Sequence, residues 1–304
     1  MSLKKIYIDG DSGTTGLEIV NRLEHRKDLE VLPVDPLLRK DPAYKLSLAK
    51  QADLVVLCLP DQAAREAVSL YGDADTKILD ASSAHRTEPG WVYGMPEIGL
   101  REQIKQAQKV SNPGCYPTGF ILAIEPLVRA GVLSNDDFVT VNAVSGYSGG
   151  GRQLIEEYEE NKKPEWAVRL YGLGLDHKHL PEMHRYSGLN KAPLFVPSVG
   201  DFKQGMLVSI PLEVEPSEVM AIWYKAYQEE PFVEVLQTPQ AQLEGGFLSA
   251  TQQNGTNQVQ LSCFGNGDRA VLVARLDNLG KGASGAAVQN LNLMLGLEEG
   301  IGLV

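Results

Sequence analysis

The chain has 304 residues, of which 43% are hydrophobic and 30 are glycine, a composition typical of folded globular proteins. This length suits one large domain or two smaller ones and excludes a disordered or fibrous protein. The net charge of −11 comes without a long basic run, which argues against nucleic acid and anionic membranes as partners. The sequence begins with a predicted strand and has no apolar stretch long enough to span a bilayer, so we expect a cytoplasmic protein.

Short β-branched runs alternate with amphipathic segments in the first half, a pattern typical of βαβ units around a parallel sheet. The predicted strands are residues 5–8, 29–34, 54–59, 77–79 and 109–111. The predicted helices between them are residues 16–24, 62–71 and 100–108. This order indicates an α/β fold with an open, doubly wound, Rossmann-like parallel sheet.

The pattern changes beyond about residue 136, where polar and apolar residues alternate as in an antiparallel sheet with one covered face. The alternating runs are DFVTVNAVSG, GMLVSIPLEV, TNQVQLSCFG and DRAVLVARLDN. The segment SEVMAIWYKAYQ has helical spacing and makes this half α+β. The last segment, GASGAAVQNLNLMLGLEEG, predicts a helix whose apolar stripe covers another surface.

A glycine-rich turn follows the first predicted strand and leads into a helix. Its sequence, GDSGTTG at residues 10–16, has the spacing GxxGxxG, and glycines in this setting let backbone amides approach a pyrophosphate. We interpret it as a dinucleotide-binding loop; the alternative is an ordinary tight turn. Asp35 could bind a ribose hydroxyl, whereas Arg39 and Lys40 could bind a 2′-phosphate. These residues leave the choice between NAD and NADP open.

The three cysteines are expected to be reduced thiols, because their number is odd and no secretion signal precedes them. Cys58 and Cys263 lie in apolar, β-rich runs, where a thiol packs as a small hydrophobe. Cys115 lies in VSNPGCYPTGFILAI, at a predicted helix start. The amides and macrodipole of a helix N-terminus stabilise a thiolate and could also bind the oxygen of an attacked carbonyl. We therefore predict that Cys115 is a nucleophile; the alternative is a structural cysteine in a turn.

Three histidines crowd into GLDHKHLPEMHRY: His177, His179 and His184. A His-x-His pair on a strand would place both rings on one face, where a third imidazole could complete a zinc site. No second Cys/His set and no HExxH motif accompanies them, so we expect an acid/base role and no metal. Pro181 and Glu182 are expected to fix the loop, with Glu182 orienting a ring.

Several cations lie in or near the same predicted loops. They are Arg86 after the fourth strand, Arg152 after the run SGYSGGG, and Lys178 between the two histidines. Cations near candidate catalytic loops in an acidic protein indicate a small anionic substrate.

A cysteine nucleophile, a histidine base, a dinucleotide loop and anion sites together describe reduction of an acyl phosphate through a thioester. The sequence resembles the N-acetyl-γ-glutamyl-phosphate reductase family, in its shorter type, within the superfamily of semialdehyde dehydrogenases and glyceraldehyde-3-phosphate dehydrogenase. The resemblance spans nearly the whole chain. The motifs that carry it are GDSGTTG, LCLPD, ILDASSAHR, YGMPEI, VSNPGCYPTG, VSGYSGGGR, HKHLPE and LDNLGKGASGAAVQNLNLMLG.

The resemblance implies NADPH-dependent reduction of N-acetyl-L-glutamyl 5-phosphate to the 5-semialdehyde and phosphate, a step of arginine biosynthesis. It assigns Cys115 as nucleophile and His179 as acid/base, with His177 a possible substitute. The implied cofactor residues are Gly10, Ser12, Gly13, Thr14, Thr15, Gly16, Arg39, Leu59, Pro60, Ser82 and Asn278. The implied substrate residues are Asn112, Arg86, Arg152, His177 and Lys178.

The resemblance also implies two domains and a homodimer or homotetramer. Residues 1–115 with 281–304 would bind NADP, and residues 116–280 would form the catalytic and dimerisation domain. The chain departs from the family at Lys178, where arginine is usual, and at Asp61, where long members often carry histidine. Two rival hypotheses remain: a related dehydrogenase acting on aspartyl phosphate or N-acetyl-aminoadipyl phosphate, and a nonenzymatic NADP-binding redox sensor.

Overall fold

The structure is a computed structural model that describes residues 3–11 and 13–303, apart from the side chain of Asp73. The strands are β1 (Lys4–Asp9), β2 (Leu29–Val31), β3 (Leu54–Leu57), β4 (Lys77–Asp80), β5 (Val92–Tyr93), β6 (Lys109–Ser111), β7 (Thr140–Gly146), β8 (Val168–Leu170), β9 (Leu194–Gly200), β10 (Met206–Leu212), β11 (Val233–Val235), β12 (Val259–Asn266) and β13 (Arg269–Leu276). The α-helices are α1 (Thr14–Leu23), α2 (Pro42–Ala49), α3 (Asp61–Leu70), α4 (Arg101–Gln106), α5 (Cys115–Arg129), α6 (Gly151–Glu160), α7 (Leu180–Ser187), α8 (Pro216–Tyr227) and α9 (Gly285–Met294).

The chain divides into two compact units. The first unit contains the described residues up to Pro113 together with Ala283–Leu303, and the second is Gly114–Gly282. A short π-helix, Gly280–Ser284, precedes α9. Over the described ranges 3–11 and 13–303, no helix has the length and apolarity needed to cross a membrane.

The first unit is built on a six-stranded parallel sheet in the order β2-β1-β3-β4-β6-β5, which confirms the predicted doubly wound α/β fold. The order reverses at β1, so the carboxyl ends of β1 and β3 border the crevice where ligands bind in such sheets. Two predicted strands are too long. Strand β2 ends at Val31 because Pro33 has no amide for the ladder, and β3 ends at Leu57 before the turn into α3. Helix α2 and strand β5 were not predicted.

The apolar side chains of α9 pack in the core of the first unit as predicted, but the helix is buried on every side rather than along one stripe. Its polar side chains tolerate burial because their amide groups find partners within the first unit. Asn290 donates to the carbonyl oxygen of Gly94 at 2.8 Å, and Asn292 donates to that of Ile301 at 2.9 Å. These side-chain bonds replace the contacts with water that a polar face would make.

The second unit has a seven-stranded sheet in the order β11-β12-β13-β10-β7-β9-β8. The prediction of an antiparallel sheet is wrong in two places, because β7 pairs with β9 and β11 pairs with β12 in parallel. Parallel neighbours need a long crossover, and the segment between β7 and β9 supplies one through α6, β8 and α7. That crossover carries the histidine-rich segment.

Helix α5 lies at the centre of the second unit and is fixed from both sides. A Cβ at Gly119 would come within 2.9 Å of Val208 Cγ2, so glycine lets the helix lie close against the sheet. On the other side, Trp223 Nε1 donates to the carbonyl oxygen of Ala123 at 3.0 Å. Burial along nearly its whole length makes α5 a rigid support for its first residue.

A proline inside α5 strengthens this attachment. Pro126 has no amide proton, so the carbonyl oxygen of Leu122 loses its usual helical partner. The hydroxyl of Tyr227, on α8, donates to that oxygen at 2.7 Å. The two helices are therefore joined where α5 would otherwise be weakened.

Candidate active site

Cys115 is the first residue of α5, and the N-cap residue before it is Gly114, in an extended conformation with φ −80° and ψ 158°. Cys115 as a residue is half-buried. Because Gly114 has no side chain, it forms no side-chain cap on α5. The first-turn amides of a helix carry partial positive charge, so a thiolate at this position is stabilised.

The other two cysteines lack this setting. Burial, reinforced by the charges of Asp80 and Asp9, raises the pKa of the Cys58 thiol well above its usual range. Burial alone raises the pKa of Cys263 to about 11. Both thiols are therefore protonated near neutral pH, and neither can act as a thiolate nucleophile there.

The histidine segment is a turn leading into α7, so the strand considered for His-x-His is wrong. His179 is the N-cap residue of α7 and is buried, whereas His177 is half-buried. Their ring centroids lie 4.7 Å apart. The backbone N–H of His179 donates to Nδ1 of His177 at 3.1 Å. Because that nitrogen accepts a hydrogen bond, the neutral His177 ring carries its proton on Nε2.

An aromatic cluster joins the histidines to the cysteine helix. The ring of Tyr116, the residue after Cys115, lies edge-on to both imidazoles, at 6.0 Å from each centroid. The hydroxyl of Tyr171 donates to that of Tyr116 at 3.0 Å, and Tyr116 donates to the carbonyl oxygen of Ser198 at 3.1 Å. Burial is the main cause that raises the pKa of both phenols, so they remain hydrogen-bond donors.

The sequence analysis missed two contacts, one at Gly114, the residue before Cys115, and one at Cys115 itself. Oε2 of Glu182 accepts the backbone N–H of Gly114 at 3.1 Å, a contact beyond the ring-orienting role expected for this residue. A Cβ at Gly282, in the π-helix, would lie 2.8 Å from Cys115 Cβ, so only glycine fits against the cysteine without displacement. Neither pairing has a signal in one sequence, because the partners lie far apart along the chain.

The other predicted binding residues of the second unit differ from one another in burial: Arg152 and Lys178 are exposed, and Asn278 is buried. Arg152 is 80% exposed and pairs with Glu156 one helical turn away, at 2.7 Å, and Lys178 is exposed. Asn278 is buried: its Oδ1 accepts the backbone N–H of Gly205 at 2.8 Å, and its Nδ2 donates to Ser148 Oγ at 2.9 Å. Asn278 therefore holds the turn after β7.

The glycine loop of the first unit is closely packed. Gly10 has φ +94°, and a Cβ there would lie 2.4 Å from the carbonyl oxygen of Cys58. A Cβ at Gly16 would lie 2.3 Å from the carbonyl oxygen of Gly10. Gly13 is the N-cap of α1 and makes no side-chain cap, and Thr14 and Thr15 form the first turn. Ser12 lies outside the described residues.

The remaining predicted cofactor and substrate residues of the first unit lie mostly at the carboxyl edge of the sheet. Leu59 and Pro60 follow β3, Ser82 and Arg86 follow β4, and Asn112 follows β6. Ser82 Oγ donates to Asp80 at 2.8 Å, and Nε of Arg86 donates to the carbonyl oxygen of Asn112 at 2.9 Å. Ser82 and Arg86 are therefore held by a strand end and by the loop after β6, respectively.

Side chains beyond the sheet edge also have defined contacts. Oδ1 of Asp35 accepts the N–H of Leu37 at 2.9 Å, so this carboxylate stabilises its own turn. Arg39 is exposed two residues before the N-cap of α2. Asp61 accepts hydrogen bonds from the backbone and hydroxyl of Ser83, which joins the loops after β3 and β4.

The histidine segment was also considered as a metal site. In the part of the chain that the structure describes, no group of three or more His, Cys, Asp or Glu side chains could hold a metal ion. The arrangement around Cys115 consists of a thiol at a helix start, two imidazoles, the buried phenol of Tyr116 and the more exposed phenol of Tyr171.

Two family models match the chain. The semialdehyde dehydrogenase NAD binding domain matches residues 37–107, and the semialdehyde dehydrogenase dimerisation domain matches residues 115–278. The first unit therefore carries a nicotinamide-nucleotide-binding domain. Its glycine loop precedes the matched range, so the role of that loop rests on its geometry. The structure also resembles aspartate semialdehyde dehydrogenase II from Vibrio cholerae, with a TM-score of 0.71, 13% identity and coverage of 97% and 99% of the two chains, which shows the fold.

Similar proteins cover the full length of the chain. N-acetyl-gamma-glutamyl-phosphate reductase 2 from Nostoc sp. is 52% identical over 100% of both chains. The enzyme of the same name from Pseudomonas putida is 47% identical over 96% of both chains. These identities over the whole length confirm the resemblance found in the motifs. The chain belongs to the N-acetyl-gamma-glutamyl-phosphate reductase family.

Proposed function

We propose that this protein reduces N-acetyl-L-glutamyl 5-phosphate to N-acetyl-L-glutamate 5-semialdehyde and phosphate with NADPH, in arginine biosynthesis. The observation that carries the proposal is Cys115 at the start of a buried helix, with two imidazoles against the ring of the next residue, Tyr116. This arrangement suits acyl transfer to sulfur, which is the step that an acyl phosphate undergoes before reduction.

In the first step, the Cys115 thiolate attacks the acyl carbon and the carbon–oxygen bond to phosphate breaks. Inorganic phosphate leaves, and a thioester forms on the sulfur. The first-turn amides of α5, including that of Tyr116, would bind the oxygen of the attacked carbonyl. The thioester conserves the energy of the acyl phosphate and gives a carbonyl that accepts hydride more readily than a carboxylate does.

The geometry favours His179 over His177 as the proton carrier. His177 already accepts the His179 amide at Nδ1, so its neutral ring holds a proton on Nε2 and has no free lone pair with which to take the Cys115 thiol proton and later return it to the substrate. His179 would protonate the substrate oxygen as the thioester is reduced and would remove that proton when the carbon–sulfur bond breaks. The aldehyde is then released and the Cys115 thiolate is restored.

The first unit fits a nicotinamide dinucleotide. The glycines at positions 10 and 16 allow a turn that any Cβ would block, and it leads directly into the first turn of α1, where a pyrophosphate is favoured. Residues of this loop would hold the pyrophosphate, and Leu59, Pro60 and Ser82 would line the rest of the cofactor. When bound, the cofactor supplies the hydride. We assign NADPH because Arg39 can bind a 2′-phosphate, whereas Asp35 is engaged in its own turn.

The protein would act as a homodimer or homotetramer. The family description of residues 115–278 as a dimerisation domain supports association through the second unit. Exposed apolar side chains on its edge strand, Val168 and Leu170, also favour a partner surface. A reducing compartment would keep Cys115 a thiol, so we place the protein in the cytoplasm.

The substrate is tested by running the reaction backwards. Phosphate-dependent reduction of NADP is measured with N-acetylglutamate 5-semialdehyde, aspartate semialdehyde and the N-acetyl-aminoadipate semialdehyde. The proposal predicts the highest kcat/KM for the first. A preference for aspartate semialdehyde would overturn the assignment. Bound zinc with no turnover of any of the three would favour the redox-sensor hypothesis.

A further inference from the structure

Glu182 is a carboxylate buried in the second unit, with 1% of its surface exposed. It lies in the first turn of α7, three residues after His179. A buried carboxylate is costly unless strong hydrogen bonds compensate for the loss of water. Here one oxygen accepts the N–H of Gly114, which is 68 residues away along the chain.

The amide that Glu182 accepts lies at the start of the helix that carries Cys115. Gly114 is the N-cap residue of α5 and immediately precedes Cys115. In a capping box the N-cap amide is accepted by a Glu or Gln three residues on in the same helix, but in α5 that position is Pro117, which has no acceptor side chain. Glu182 supplies an acceptor at this helix start from a different helix. A carboxylate is also favoured there by the macrodipole of α5.

The same helix presents the imidazole. His179 is the N-cap of α7, and Glu182 is its third helical residue, so a single rigid element positions both side chains. The far ends of the helices are also in contact, because a Cβ at Gly188, just after α7, would lie 2.9 Å from Val128 Cγ1 near the end of α5. The bond from Gly114 to Glu182 therefore fixes the starts of the two helices relative to each other.

We propose that Glu182 is a positioning residue, which holds the Cys115 helix start in register with the His179 helix start by accepting the Gly114 amide. The proposal rests on the proposed function, because the positioning matters for proton transfer at the thioester. The hydrogen bond, rather than the negative charge, is the required feature, because a negative charge beside this helix start would itself disfavour the thiolate.

Two substitutions separate the hydrogen bond from the charge. Glu182→Gln removes the charge and keeps an acceptor oxygen at the same reach. Glu182→Asp keeps the charge and withdraws the oxygens by about 1.5 Å, roughly one carbon–carbon bond. Glu125→Gln and Glu125→Asp are the matched controls, because Glu125 lies on α5 but pairs with Arg129, away from the helix start.

Two measurements are made on the full-length protein, with thermal unfolding to verify folding. The first is the rate of Cys115 alkylation by iodoacetamide across pH, which requires no turnover. The second is kcat and the KM for NADPH in the reductase reaction. Alkylation reports on the helix start even if the reductase assignment fails, so the two hypotheses can fail separately.

We expect Glu182→Gln to alkylate at least as fast as the unsubstituted protein and to keep kcat within about threefold. Glu182→Asp should displace the helix start, slow alkylation at pH 7 by up to about tenfold, and lower kcat without changing the KM for NADPH. The proposal is overturned if Gln and Asp impair the protein equally, if Asp has no effect, or if the Glu125 variants reproduce the loss.

Discussion

The helix starts of α1 and α5 have nearly the same backbone and different surroundings. Gly13 and Gly114 are the N-cap residues, with φ −80° at both and ψ 164° and 158°, and neither provides a side-chain cap. At α1 the next residues are two threonines and a glycine, which leave the helix start accessible to a phosphate. At α5 the protein places its own sulfur on the first residue and its own carboxylate on the N-cap amide. Under the proposed function, one local geometry would bind the cofactor where it is left open and would activate the nucleophile where it is filled.

The largest expected effect is at the filled helix start. Cys115→Ser should reduce turnover by more than about a thousandfold, because a serine hydroxyl remains protonated where a thiolate is stabilised. NADPH affinity, measured by fluorescence titration, should be unchanged. Cys58→Ser and Cys263→Ser serve as controls and should keep most of their activity. Equal losses in all three variants would show damage to folding rather than to the chemistry.

The next effect separates the two histidines. His179→Asn should lower kcat by about a hundredfold or more, the usual cost of removing a general acid/base. His177→Asn should cost less than about tenfold, since Oδ1 of asparagine can accept the His179 amide as Nδ1 does now. Steady-state kinetics across pH would check both, and the reverse order of severity would transfer the proton-carrying role to His177.

The open helix start is tested by adding one methyl group. Gly16→Ala places a Cβ within 2.3 Å of the Gly10 carbonyl oxygen and should displace the turn. We expect the NADPH dissociation constant to rise by about tenfold or more, or about 1.4 kcal/mol, while Cys115 alkylation stays unchanged. Gly72→Ala is the matched control, because a Cβ at Gly72 meets no atom within 4 Å. Unchanged NADPH binding in Gly16→Ala would remove the glycine loop from the cofactor site.

The smallest effect concerns the choice of cofactor. Arg39→Ala should raise the KM for NADPH about tenfold, which corresponds to roughly 1.5 kcal/mol for one hydrogen bond to a charged group, and leave the KM for NADH unchanged. Lys50→Ala, at the far end of α2, is the control for a general loss of positive charge. An equal rise for both cofactors, or none for NADPH, would contradict the assignment of Arg39 to the 2′-phosphate.

The sequence predicted features that depend on neighbours along the chain. Five of the six strands of the parallel sheet, the turn before α1 and the helix start at Cys115 have local signals: β-branched runs, glycine spacing and a Pro-Gly break. Errors occurred where a neighbour in space decides the outcome. Helix α9 has the composition of a half-buried helix, but its asparagines find partners such as the Gly94 carbonyl oxygen and become buried.

The site shows the same division. Cys115 and His179 became candidates for nucleophile and base because such residues carry chemical signatures in their motifs, and these roles remain predictions. The contacts of Gly114 with Glu182 and of Cys115 with Gly282 were not predicted, since they join segments 68 residues or more apart along the chain. Pairings across such distances are set by the packing of α5 against α7 and against Gly282, which a single sequence does not display.

The central claim is that Cys115 carries the substrate as a thioester. The most direct test mixes the protein with N-acetyl-L-glutamyl 5-phosphate in the absence of NADPH and follows phosphate release and intact mass. The account predicts a burst of about one phosphate per chain and an acyl adduct that peptide mapping places on Cys115, with neither seen in Cys115→Ser. An adduct on another residue, or turnover with NADPH that never acylates Cys115, would contradict it.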